Sequence, residues 1–215
     1  MQVCILYVKE LYKFRAFYFM QKKTKQAPKP TRGDKRERTR AQLIEAAAKL
    51  INEKGYDRTS LEEIARRAGM TRGAIYNNFK DKEEIFLAVI EKHWKPIAPP
   101  FKPGAGLKEQ MRILGRAVAA AADERREIAV GALSFQLYAL THEEMRKRLA
   151  QTNTEIYRWA AQQLVEFIPA AELPLPPDEF VRVLHALTDG LLALRFLTPE
   201  LITDEIIISA FESLA

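Results

Sequence analysis

Residues 59–80, TSLEEIARRAGMTRGAIYNNFK, constrain the fold more than any other stretch, because they read as a helix, a tight turn and a second helix. Ser60 with Glu63 three residues on forms a capping box, so a helix begins there and carries Leu61, Ile64, Ala65 and Ala68 on one face. Gly69 ends it, since a left-handed turn residue is cheapest as glycine, and the small Ala65 lets a second helix come close. Thr71 caps that second helix. Its Ala74, Ile75 and Phe79 face the first helix and leave Arg72, Gly73, Tyr76, Asn77 and Asn78 outside. A plain helical hairpin would use Ala65 and Gly69 for packing alone. Together with Ile75, however, they fall at the spacing of a helix-turn-helix, which places the start of its second helix in the DNA major groove.

The flanks extend the pattern. A leading amphipathic helix ends EKGYDRTS, the hairpin LEEIARRAGMTRGAIYNNF follows, and KDKEEIFLAVIEKHW comes next. From Arg40 to Trp94 the chain resembles the N-terminal domain of the TetR family of bacterial transcriptional regulators; the rest resembles the family in length and helical pattern only. The resemblance implies an all-α fold: a three-helix DNA-binding domain with a helix-turn-helix, then a helical ligand-binding and dimerisation domain. It also implies roles. Lys82 and Tyr76 would grip the DNA backbone, with Arg40 a further DNA contact. Ser60 would meet phosphate at its helix N-terminus, where backbone amides favour an anion. Thr71, Arg72 and Gly73 would stand at base edges, Arg72 with a guanidinium able to donate two hydrogen bonds to guanine. Asn77 and Asn78 have bases and phosphates equally in reach.

Charge is distributed in keeping with such a partner. The chain's net charge is +6, yet residues 1–40 carry 12 Lys/Arg against 3 Asp/Glu, whereas residues 96–215 carry 12 against 16. Basic charge lies beside the hairpin and the long C-terminal part is mildly acidic, as expected if one end meets a phosphate backbone. The single cysteine, Cys4, excludes an internal disulfide and a cysteine-based zinc site, and suits the reducing cytoplasm. His93, His142 and His185 have no metal-ligand spacing. With no nucleophile elbow, P-loop or dinucleotide fingerprint, neither an enzyme nor a cofactor is expected.

Residues 1–20 are apolar and aromatic but broken by Lys9, Glu10, Lys13 and Arg15, which leaves no span of about 18 apolar residues for a membrane helix. Three readings stay open for them: a start of translation at Met20, an added helix, or a basic amphipathic stretch. Residues 21–38, rich in Lys and Arg with Pro28, Pro30 and Gly33, read as a flexible arm. The expected organisation is an extension and arm over 1–33, a DNA-binding domain over 34–95 with its first helix from about Asp34 to Lys54, and a helical body over 96–215. The proline-rich KPIAPPFKPGAG forbids a continuous helix at the last boundary. Asp81 and Glu84 predict a capping box for the helix after the hairpin, and Thr141 and Glu144 predict another for a long helix through Ile168.

The last two predicted helices, 178–197 and 203–214, are apolar around much of their circumference and must be covered. Pairing with a second copy would do this through Leu187, Leu191, Leu194, Ile207 and Phe211. Burial inside one chain is the alternative. A dimer would read a palindromic double-stranded operator with half-sites about 34–36 Å apart or a multiple of it, by binding that weakens with salt. Phe135, Tyr138, Trp159, Gln162, His185 and Thr188, embedded in apolar helices, suit a cavity for a small hydrophobic or aromatic effector. The favoured function is a cytoplasmic homodimeric repressor released by that effector, with no membrane partner. The alternative is a ligand-independent architectural DNA-binding protein of the same fold.

Overall fold

The computed structural model describes residues 32–93 and 97–215; the N-terminal extension and most of the basic arm lie outside these. The described residues are helical, in nine α-helices with no strand. They divide into two compact units between Ala98 and Pro99.

The described residues of the first unit form four helices: α1 (Arg32–Lys54), α2 (Leu61–Arg67), α3 (Arg72–Tyr76) and α4 (Lys82–His93). Its core is the set of side chains that helical spacing brings inward: Leu43, Ala47 and Ile51 from α1, Ile64 and Ala65 from α2, Ile75 and Phe79 around α3, Ile85 and Phe86 from α4, all nearly inaccessible. Tyr56 plugs the bend after α1, fully buried with its ring edge-on to Phe86 at 4.9 Å. Gly55 and Gly69 have φ of 87° and 67°, the left-handed conformation that ends α1 and α2. Ser60 and Glu63 make both bonds of the capping box, and Thr71 accepts from the Ala74 amide. At α4 only half of the expected box forms. Asp81 accepts from the Glu84 amide, but the Glu84 carboxylate turns to the Lys80 amide instead.

The second unit contains α5 (Leu107–Arg125), α6 (Ala129–Thr141), α7 (Glu143–Leu164), α8 (Pro177–Leu197) and α9 (Asp204–Glu212). Helix α5 ends at Arg125, inside the charged segment 123–127 (DERRE), and a single 3-10 turn, Arg126–Ile128, parts it from α6. The capping box expected at Thr141 and Glu144 is absent. The Thr141 hydroxyl instead donates to the Tyr138 carbonyl and closes α6, and His142 alone separates α6 from α7. That long helix ends at Leu164 rather than Ile168.

Helix α9 lies across α5 at Gly115, where a Cβ would stand 2.9 Å from the Ile208 Cα. This contact corrects the expected dimer surface. Ile207 and Phe211 point into their own chain with no exposure, and Leu191 is buried as well, so none of the three is available to a second copy. An evenly apolar helix does not reveal which face the chain itself will take. Outside remain Val183, Leu194, Leu197, Leu201 and Ile206, with Leu187 half-buried. Among the described residues no helix is long and apolar enough to cross a membrane.

Candidate nucleic-acid interface

The two short helices of the hairpin are positioned by charge as well as by core. The Arg67 guanidinium grips the Glu53 carboxylate through two nitrogens at 2.8 and 2.6 Å and ties α2 to α1. Lys54 does the same from α1 to Glu63 at 2.6 Å. Glu63 also accepts from the Ser60 amide, and these bonds, led by that from Lys54, hold its carboxyl well below the usual range, at about 2. A depressed folded pKa contributes stability above the unfolded value, here lost as pH falls from about 4.5 toward 2. Glu63→Gln should therefore flatten the acid limb of unfolding in that window, followed by far-UV circular dichroism. An unchanged limb would remove Glu63 from the acid response.

On this support α3 presents Thr71, Arg72, Gly73, Tyr76 and Asn77 to solvent. The exposed face is short, polar and cationic at its N-terminal end, and it is the only part of α3 not committed to the core. Glu62, in the first turn of α2, meets two of its side chains. The Tyr76 hydroxyl donates to Glu62 Oε1 at 2.9 Å, and Arg72 Nε lies 3.3 Å from that oxygen, with the guanidinium 5.4 Å from the Tyr76 ring centre.

The remaining expected contacts are engaged within the unit. Asn78 is half-buried, and its amide nitrogen donates back to the Ala74 carbonyl at 2.7 Å, so it finishes α3 rather than facing outward. Arg40 donates to the Asn78 carbonyl at 2.7 Å, spreads over the Phe79 ring at 4.2 Å and approaches Glu84 at 3.7 Å. It is a brace between α1 and the end of α3. Lys82 donates to the Tyr56 and Asp57 carbonyls at 3.1 and 3.2 Å, over the Tyr56 ring, and burial lowers its pKa. The Ser60 hydroxyl is occupied by its capping box. Internal braces are invisible to a reading by residue type, because a guanidinium that holds a carbonyl looks the same in sequence as one that holds a phosphate.

The six residues expected to line a cavity lie on three helices of the second unit: Phe135 and Tyr138 on α6, Trp159 and Gln162 on α7, His185 and Thr188 on α8. Phe135 and Tyr138 stack in a row with His142, His185 bonds Tyr157 at 2.6 Å, and Thr188 donates to its own helix at Leu184. Trp159 is half-buried on α7. Of the six, only Gln162 lines the open groove of about 870 Å³ between α7 and the start of α8, with Asn153, Tyr157, Arg158, Val165 and Arg182 among its neighbours. Tyr157 links this groove to a polar string: His185 Nε2 is 3.4 Å from Asp189, whose charge also acts on the buried Arg125. Burial pulls the Arg125 guanidinium down to about 10 against that opposing charge.

The profile of bacterial regulatory proteins of the tetR family matches residues 43–89, the core of the first unit. The HTH-type transcriptional regulator SrpR of Pseudomonas putida is 27% identical over 158 residues, 73% of this chain and 74% of that protein. The HTH-type transcriptional regulator AcrR of Shigella flexneri is 42% identical over 72 residues, but this covers only 34% of the chain and 30% of AcrR. Among solved structures, NalD, the secondary repressor of the MexAB-OprM multidrug efflux pump in Pseudomonas aeruginosa, superposes with a TM-score of 0.58 at 25% identity, over 83% of this chain and 94% of NalD.

Proposed function

The chain belongs to the tetR family of bacterial regulatory proteins, non-enzymatic DNA-binding regulators of transcription, and on that premise we propose that it is a homodimeric repressor released from a palindromic operator by a small molecule. The observation that carries the reading is the exposed face of α3, where Thr71, Arg72, Gly73, Tyr76 and Asn77 are offered to solvent around a helix anchored by the buried Ile75. In it Arg72 reads a base edge, Thr71 and Gly73 line the groove floor, and Tyr76 and Lys82 take phosphates. Repression is favoured by the likeness to NalD, itself described as a repressor.

Dimerisation runs through α8. Val183, Leu187, Gly190, Leu194 and Leu197 recur at intervals of four, three, four and three residues, the seam along which two helices pair. Gly190 strengthens this, since a Cβ there would meet only open space within the chain while glycine weakens a helix by about 1 kcal/mol against alanine. A partner helix crossing closely at that point accounts for it. The effector is a small hydrophobic or aromatic compound with a hydrogen-bonding group, and the groove at Tyr157 and Gln162 gives it both an apolar wall and polar atoms.

Selection of bound sequences from a random DNA library, followed by titration of the winner in increasing salt, tests the reading. A palindrome is expected; no enriched sequence would overturn it. Arg72→Ala should cost about 1–3 kcal/mol at one base position and relax preference there, whereas Lys82→Ala should weaken all sequences alike and lower the salt slope by about one unit. A salt slope unchanged in Lys82→Ala would leave Lys82 as a brace for Tyr56 and Asp57 alone.

A further inference from the structure

Arg72 is long and flexible, and a guanidinium that reads guanine with two parallel hydrogen bonds must present its two terminal nitrogens in one plane. Such a side chain loses rotamer freedom when it does so, unless another group already holds it. Glu62 is placed to hold it. Its carboxylate lies 3.3 Å from Nε, the edge of the guanidinium away from the reading end, and the Tyr76 hydroxyl donates to the same oxygen at 2.9 Å. The Glu62 carboxyl is held below its usual range, first by its own backbone amide and then by the Tyr76 hydroxyl and the Arg72 charge. Glu62 is not the capping residue of α2, a task that falls to Ser60 and Glu63.

We propose that Glu62 is a specificity-determining residue of the DNA reader: it holds Arg72 by Nε, aims its terminal nitrogens at guanine, and sets a carboxylate against phosphates wherever no guanine is met. On the operator the pair persists, because base reading uses nitrogens that Glu62 leaves alone. On other sequences Arg72 can gain a phosphate only by leaving Glu62, and the bare carboxylate is then repelled by the DNA backbone. The residue therefore lowers non-specific binding more than operator binding. This is specificity by an element that disfavours the wrong partner. The inference rests on Arg72 as a base reader, as proposed above.

The test uses the full-length protein, the selected operator and a scrambled duplex of equal length, with Glu62→Gln, Tyr76→Phe and Arg72→Ala measured in parallel. Glu62→Gln should bind the scrambled duplex about tenfold more tightly, gain nothing on the operator, and so reduce the ratio between them by about tenfold. The lost preference should fall at the base position that Arg72→Ala relaxes. Tyr76→Phe, which keeps the Glu62–Arg72 pair but loses the proposed phosphate contact, should weaken both duplexes alike and so retain the ratio. An unchanged ratio in Glu62→Gln, or equal tightening on both duplexes, would overturn the role and leave Glu62 as an ordinary repulsive charge. If Arg72→Ala itself kept full operator preference, the base-reading assignment would fail and this inference with it, an outcome separate from a failure of Glu62 alone.

Discussion

Gly115→Val should lower the stability of the C-terminal unit by about 3 kcal/mol, a large share of what a domain of this kind has to lose. Gly115 is buried in the middle of α5, where glycine is normally a liability and alanine would serve better. Its place is explained by α9. A Cβ at 115 would stand 2.9 Å from the Ile208 Cα and 3.4 Å from both the Ile208 carbonyl oxygen and the Phe211 Cβ. The obstacle is backbone, which cannot rotate aside as a side-chain tip does, so α9 must shift as a body and withdraw Ile207 and Phe211 from full burial. Valine adds two methyl groups to the Cβ that already has no room. Gly115→Ala should show the same effect more weakly, because the overlap of one methyl group offsets the gain in helix propensity. Trp94 and Trp159 are the only tryptophans. In a Trp94→Phe background, denaturant unfolding followed by Trp159 fluorescence therefore reports the C-terminal unit. A midpoint unmoved by Gly115→Val would mean that α5 and α9 do not cross this closely in solution.

That crossing also marks where the sequence stops being legible. The reader was accessible because its determinants are local: Ser60 and Glu63 are three residues apart, Gly69 sits at the stop they imply, and Ala65 and Ile75 occupy the faces that a 3.6-residue period assigns. The second unit is determined by contacts between distant segments. Gly115 carries no sign that Ile208 will lie on it, and α9, apolar on several sides, gives no indication that Ile207 and Phe211 turn inward while Ile206 stays outside. The same limit applied to the site. Exposure of Arg72, Gly73 and Tyr76 followed from helical phase, whereas the bonds from Arg40 to the Asn78 carbonyl and from Lys82 to Tyr56 and Asp57 span 38, 26 and 25 residues. Glu62 lies between these cases. Its place on the exposed side of α2 was readable, but its meeting with Arg72 and Tyr76 depends on the angle between the two helices, which the turn at Gly69 sets.

Leu194→Glu should convert the proposed dimer to a monomer and reduce operator affinity by orders of magnitude. Leu194 is 49% exposed within the chain and lies in the stripe from Val183 to Leu197, one turn beyond its central Gly190. In a two-fold interface each substitution counts twice, so the dimer loses the burial of the exposed half of two leucines, about 1 kcal/mol apiece. It also gains two carboxylates near the axis, each to be stripped of water with a like charge nearby, which adds several kcal/mol more. Light scattering should then give the single-chain mass of 24.6 kDa. DNA binding reports the consequence independently. A monomer engages one half-site, so it forfeits the second set of base and phosphate contacts and the salt slope that came with them, falling to about half the parent value. Because Leu194 projects outward, the fold of the chain itself should survive, and its unfolding midpoint should change far less than in Gly115→Val. A dimer of undiminished stability in Leu194→Glu would move the interface off α8. The exposed apolar side chains of α6, Leu137 and Leu140, which are 64% and 75% exposed, would then be the next surface to substitute.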